Sequence, residues 1–136
     1  MNIKNIFIFF MIITTQVSCK EKGPNLILSK YDYDCGIVPE GITCNGNITI
    51  YNRGDKPIFI NDIYPDCNCI KVDIDKKEIA RNDSASIQFT LNTDGKEGEI
   101  DHIVTLEANT DSIIHFFTIR ASVIDIPKDK KQNDQT

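Results

Sequence analysis

From Ala85 to Leu91 every second side chain is apolar, with Ser86, Gln88 and Thr90 in the gaps between Ala85, Ile87, Phe89 and Leu91. A strict period of two suits a strand with one face buried, and it cannot build the continuous stripe of a helix, whose period is 3.6. Runs of this kind, rich in β-branched and aromatic residues, recur about every 10 to 15 residues along the chain with turn residues between them. Helical periodicity is scarce. The chain is therefore expected to fold by pairing strands.

Seven strands are expected. They cover 26–33, 47–52, 58–64, 70–74, 85–91, 100–108 and 113–124. Ile48 and Ile50 share one face of the second, and Pro57 opens the third, where a missing N–H is tolerated. Val104, Leu106 and Ala108 face inward from the sixth; Phe117, Ile119, Ala121 and Val123 do so from the seventh. The segment Arg53-Gly54-Asp55-Lys56 reads as a hairpin turn. Seven short strands at this spacing predict an all-β fold, an immunoglobulin-like seven-stranded antiparallel sandwich.

The first 18 residues follow a different pattern. Lys4 precedes an apolar run from Asn5 to Ile13, which has the length of a signal-peptide core and is shorter than the roughly 20 apolar residues of a membrane-spanning helix. The run ends in Gln16-Val17-Ser18-Cys19, which resembles the lipobox of bacterial lipoproteins with Gln16 in the usual leucine position. The division expected is a lipoprotein signal peptide over 1–18, a lipidated linker over 19–25 carried by Cys19, one domain over 26–126 and a charged tail over 127–136. That tail has no apolar residue after Pro127, so its composition predicts disorder. Export to the cell envelope follows, with a lipid anchor in the outer membrane or on the periplasmic face.

Lys4 is the only charged residue before Cys19, so the 118 residues that remain after cleavage keep 14 basic and 20 acidic side chains, a net charge of −6. That balance argues against nucleic acid as a partner. It leaves the membrane, reached through the lipid, and a protein of the envelope.

Beyond Cys19 lie Cys35, Cys44, Cys67 and Cys69, an even number in a small exported domain, which points to disulfides. Three segments containing or flanking them carry a resemblance. Tyr33-Asp34-Cys35-Gly36-Ile37-Val38-Pro39-Glu40-Gly41, then Tyr51-Asn52-Arg53-Gly54-Asp55-Lys56-Pro57-Ile58, then Pro65-Asp66-Cys67-Asn68-Cys69 resemble, in order and spacing, the motifs of the DUF1573 family. The resemblance runs from about Tyr31 to Val123. It implies an immunoglobulin-like fold related to modules of cilium and centrosome proteins, in an exported protein with no established biochemical activity. Asn68 stands where the family has glycine, and Cys35 where it has an aromatic residue; the latter suggests a cysteine pairing particular to this chain.

If residues 53–56 close a hairpin, Asn52 lies opposite Pro57, and counting outward sets Cys44 opposite Pro65, beside Cys67 and Cys69. All four cysteines then share one pole, with His102 close by. Three chemistries fit such a pole. Two structural disulfides would staple the sandwich. A thiolate site for Cu or Zn would use Cys67 and Cys69, completed by Cys35, Cys44 or His102. A redox-active pair is the third, since a Cys-x-Cys bridge closes a tight and readily reducible ring. Both His102 and His115 have inward parity, which also suits a hydrogen-bonded, half-buried histidine. Asp62, Asp66, Asp73 and Asp75 lack calcium-loop spacing and read as solvated charges. No catalytic residues emerge. The expectation is a non-enzymatic binding or structural module of the envelope without a cofactor, the alternative being a metal-binding or thiol-redox protein.

Overall fold

The computed structural model describes residues 19–126, so the expected signal peptide and charged tail lie outside the described residues. Nine strands follow one another: β1 Leu26–Leu28, β2 Asp32–Pro39, β3 Thr43–Asn52, β4 Ile58–Pro65, β5 Ile70–Ile74, β6 Glu78–Ile79, β7 Ser84–Asn92, β8 Gly98–Ala108 and β9 Ile114–Ile124. One sheet has the order β1-β3-β7-β5 and the other the order β2-β9-β8-β4-β6. Their facing sides make the core. The parity read from the sequence holds there: Ile48, Ile50, Ile87, Leu91, Val104, Leu106, Phe117 and Ile119 are all fully buried. Each such side chain stabilises the fold by about 1.5 to 3 kcal/mol relative to an exposed one.

Three expectations are corrected. The single first strand over 26–33 is two strands in different sheets. Leu26 and Leu28 are buried against β3, but residues 29–32 are all exposed, so the alternation loses its phase and the chain changes sheets. On the far side Tyr31 O accepts the Thr118 N–H (2.8 Å), and β2 then pairs with β9 in parallel, so the fold is not purely antiparallel. The remaining addition is β6, two residues long, whose Ile79 is fully buried.

The third correction concerns residues 53–56, which do not close a hairpin. β3 and β4 belong to opposite sheets, and the segment between them is a crossover. Asn52 explains it. Its side chain is completely buried and donates through Nδ2 to Lys56 O (2.8 Å) and Ile79 O (3.0 Å), while Oδ1 accepts the Gly54 N–H (3.0 Å). A buried amide with its partners met in this way holds the bend and ties it to β6. Gly54 is required because a Cβ there would overlap the Gly23 carbonyl oxygen and crowd the Asn25 nitrogen.

That close approach comes from the linker, which is clamped to the crossover. Arg53 N donates to Asn25 O (2.8 Å), Asp55 N donates to Lys22 O (3.1 Å), and Lys22 N donates to Asp55 Oδ2 (2.8 Å). The linker thus enters at the pole where β3 ends. The cysteines lie where β3 begins, about 30 Å away at 3.4 Å per residue.

Candidate functional site

Because β3 and β4 form no hairpin, Cys44 does not lie opposite Pro65. It lies opposite Leu91 of β7, and Leu91 in turn lies opposite Ile70 of β5. One row across three strands, about 10 Å wide at 4.8 Å per strand, therefore joins Cys44 to the residue after Cys69. The shared pole is reached through β7 instead of a turn.

The four cysteines form two bridges there. Cys35 of β2 and Cys44 of β3 are joined, with Cα atoms 6.1 Å apart, linking one sheet to the other. The ring they close, with a sequence separation of 9, is worth about 3 kcal/mol by the chain-entropy relation. Cys67 and Cys69 are joined across a single residue, Cα to Cα 5.1 Å. The same relation gives that tiny ring only about 1.5 kcal/mol. Its value as a staple is small. Cys19 forms no disulfide and is exposed.

The chain around Cys67 and Cys69 crosses from β4 in one sheet to β5 in the other, and is fixed at both ends. Asp66 N donates to Ile103 O (2.9 Å), and Ile103 N donates back to Asp66 Oδ2 (3.0 Å), extending the β4–β8 ladder. Cys69 O accepts the Asn92 N–H at the end of β7 (2.8 Å). His102, on the inward side of β8, is then trapped between these groups with its side chain only 18% exposed. Its Nδ1 meets Asp66 Oδ1 at 3.1 Å, and its Nε2 meets Cys69 Sγ at 3.5 Å. Cys67 Sγ accepts the Cys69 N–H at 3.1 Å.

An ionised carboxylate only accepts, so Asp66 assigns a proton to Nδ1 and turns Nε2 toward the sulfur. Nε2 can take a proton from a thiol or donate one to a thiolate. The ligand atoms of Cys67, Cys69 and His102 all lie within 4.8 Å of one another. Of the residues singled out from the sequence, Cys67, Cys69 and His102 come together, whereas Cys35 and Cys44 are committed to their own bridge. Asp66, expected as a solvated charge, is 46% exposed and also grips both His102 and the β8 backbone.

His115 lies at the opposite pole. Thr110 Oγ1 donates to Ser112 O (2.6 Å) and lies 2.7 Å from His115 Nε2, which leaves the histidine as donor to the hydroxyl. Burial holds its pKa below the usual histidine value. It is a satisfied structural histidine.

Across residues 26–123 the sequence matches the family model described as "Protein of unknown function (DUF1573)". The chain belongs to the DUF1573 family. Comparison with curated proteins finds no match. Among solved structures, the DUF1573 chain is similar to a protein of unknown function from Porphyromonas gingivalis W83, with TM-score 0.67 and 16% identity over 80% of this chain and 51% of that one. It therefore spans about half the length of that relative. It is also similar to PapD-like domain 7 of human CEP192, with TM-score 0.58 and 9% identity over 74% of this chain and 86% of the domain. The VesB protease of Vibrio cholerae is matched at TM-score 0.58 and 14% identity, over 72% of this chain and 31% of the protease. At these identities the likeness is one of fold, and it supports a PapD-like, immunoglobulin-like architecture. Two motifs of the DUF1573 resemblance now have a physical meaning: Asn52 and Gly54 build the crossover that receives the linker, and Asp66 to Cys69 build the opposite pole.

Proposed function

We propose that this protein is a lipid-anchored envelope module, carried by Cys19, that exchanges thiols and disulfides with another envelope protein through Cys67 and Cys69. The observation behind this reading is the line Asp66, His102, Cys69, in which a carboxylate orients an imidazole whose other nitrogen faces a sulfur at 3.5 Å. Cys67, whose sulfur is not the one His102 meets at hydrogen-bond distance and which is not packed on the core, is the sulfur open to attack. A partner thiol gives its proton to His102 Nε2 and bonds through sulfur to Cys67 Sγ, the Cys67–Cys69 bond breaks, and its electron pair goes to Cys69 Sγ, where the Nε2–H so formed stabilises the new thiolate. A second partner thiolate then attacks the partner sulfur of the mixed disulfide and releases Cys67, whose thiolate accepts the Cys69 N–H. Two electrons pass from the partner dithiol to this chain. The partner leaves with a disulfide.

The test is equilibration of the full chain with graded dithiothreitol, followed by alkylation and peptide mass spectrometry. Cys67 and Cys69 should open at lower reductant than Cys35 and Cys44, and His102→Gln should slow opening about tenfold or more. If Cys35 and Cys44 open first, or His102→Gln exchanges at the original rate, the reading fails. A binding module without redox chemistry is the second reading. It is favoured by Tyr64, Ile103, Ile114 and Phe116, which expose apolar surface on the outer side of β4, β8 and β9.

A further inference from the structure

Cleaving the Cys67–Cys69 bond leaves two soft sulfur donors on a three-residue loop beneath an imidazole nitrogen. We propose that reduced Cys67 and Cys69, together with His102 Nε2, form a three-coordinate Cu(I) site, and that re-forming the disulfide expels the metal. The release half of this proposal rests on the exchange reading above; the binding half needs only the reduced sulfurs.

Geometry supports three ligands. Metal–sulfur and metal–nitrogen bonds of about 2.3 and 2.0 Å place the donors of a trigonal site roughly 4 Å apart. Here the three ligand atoms already lie within 4.8 Å of one another, so separation of the sulfurs and small side-chain rotations complete the set. His102 is prepared for the role, because Asp66 Oδ1 holds Nδ1 and leaves Nε2 directed at Cys69. Carboxylates that hold the far nitrogen of a ligating histidine in this way fix its tautomer and raise its basicity.

Chemistry selects the metal. Two thiolates and an imidazole suit soft, thiophilic ions and not magnesium or calcium. Zinc demands a fourth ligand in a closed site. Among the described residues the neighbouring groups do not offer one: Asp66 is spent on the far side of the ring, and Cys35 and Cys44 are tied to each other. Cu(I) is satisfied by three. Access is open, since Asn68 is exposed and both cysteines are only partly buried.

Binding and release balance without further reagents. The two thiols give up their protons as Cu(I) binds. Exchange with a disulfide-bearing partner then transfers two electrons to that partner, joins Cys67 to Cys69, and removes two of the three ligands; copper leaves as Cu(I).

The experiment titrates Cu(I) alone, against a competing Cu(I) chelator, into the full chain reduced with a phosphine and into the oxidised chain. One Cu(I) per reduced chain is expected, with an ultraviolet thiolate-to-copper band. Cys67 and Cys69 should become protected from alkylation, and the oxidised chain should bind at least about 100-fold more weakly. Cys67→Ser should abolish the band. Asp66→Asn should keep it and weaken affinity about tenfold or more, a loss that a merely structural role for Asp66 would not produce if thermal unfolding is unchanged. Equal binding by oxidised chain or by Cys67→Ser, protection of other cysteines, or preferential loading with Zn(II) in a competition between the two metals would overturn the proposal. Because the phosphine reduces the bond whether or not a dithiol can, absence of copper binding sinks the metal site alone. Failure of the dithiothreitol experiment sinks the exchange reading and, with it, only the release half.

Discussion

Asn52 Nδ2 donates to the carbonyl oxygen of Ile79 across 27 residues of sequence, at 3.0 Å and in complete burial. One side chain thereby joins the end of β3, the crossover and the two-residue strand β6. Asn52→Ala should cost about 3 kcal/mol or more, because the Gly54 N–H and the Ile79 carbonyl lose their partner in full burial and the Lys56 carbonyl loses its own in partial burial. Urea unfolding measures it. A cost below 1 kcal/mol would mean that the crossover is held by other contacts.

Phe89 and Gln88 test the packing of β7. Phe89 is 2% exposed and meets Tyr33 edge to face at 4.8 Å, whereas Gln88 points out of the sheet. Phe89→Ala is expected to destabilise by about 3 to 5 kcal/mol, and Gln88→Ala by less than about 0.5 kcal/mol. Comparable losses at both positions would contradict the register.

The two disulfides should differ in what they do for stability. Removing Cys35–Cys44 by the double serine substitution is expected to cost about 3 kcal/mol, and removing Cys67–Cys69 about half of that. Thermal denaturation of the two double variants compares them directly. The opposite order would assign the structural work to the small ring.

Acid should act through His115. Its folded-state pKa lies below the unfolded value because of burial, so as pH falls below about 6.5 the unfolded chain binds a proton first. Stability therefore declines as pH drops through the interval between the unfolded and the lower folded value, and recovers as pH rises above it. His115→Gln should flatten that part of the profile. Denaturation midpoints between pH 7.5 and 5 supply the measurement, and an unchanged slope in the variant would exclude His115 as the cause.

Cys19→Ser should leave an unanchored or unprocessed chain whose domain unfolds as the original does. Membrane fractionation and the mass of the mature terminus check this; a soluble original chain with another terminus would rule out the lipid anchor.

The strands that carry a clean alternation were legible in the sequence: β5 is found at its expected bounds, and β7, β8 and β9 within two residues of theirs. The turn signal at residues 53–56 was ambiguous for a physical reason. Gly, Asp and Pro suit a hairpin and a crossover equally, and what decides between them is the burial of Asn52, which no periodicity announces. β6 was too short to show a period. Asp66 and His102 were invisible as a pair because the expected hairpin set β4 against β3, whereas β4 pairs with β8, with a register shift between Ile60 and Asp62. That one-residue bulge sets Asp66 beside Ile103, where a carboxylate can hold both the backbone and the imidazole.

The clamp of Lys22 and Asn25 on Arg53 and Asp55 leaves only Cys19, Lys20 and Glu21 as slack, a tether of about 10 Å when extended. If Cys19 carries the proposed lipid, the sulfur pole of an upright domain stands about 30 Å above the pole that meets the bilayer. Under the proposed anchor, a quinone or a lipid peroxide dissolved in that leaflet lies out of range of Cys67 in the upright domain, so the proposed exchange and copper binding call for a carrier that stands as tall or comes from the aqueous side.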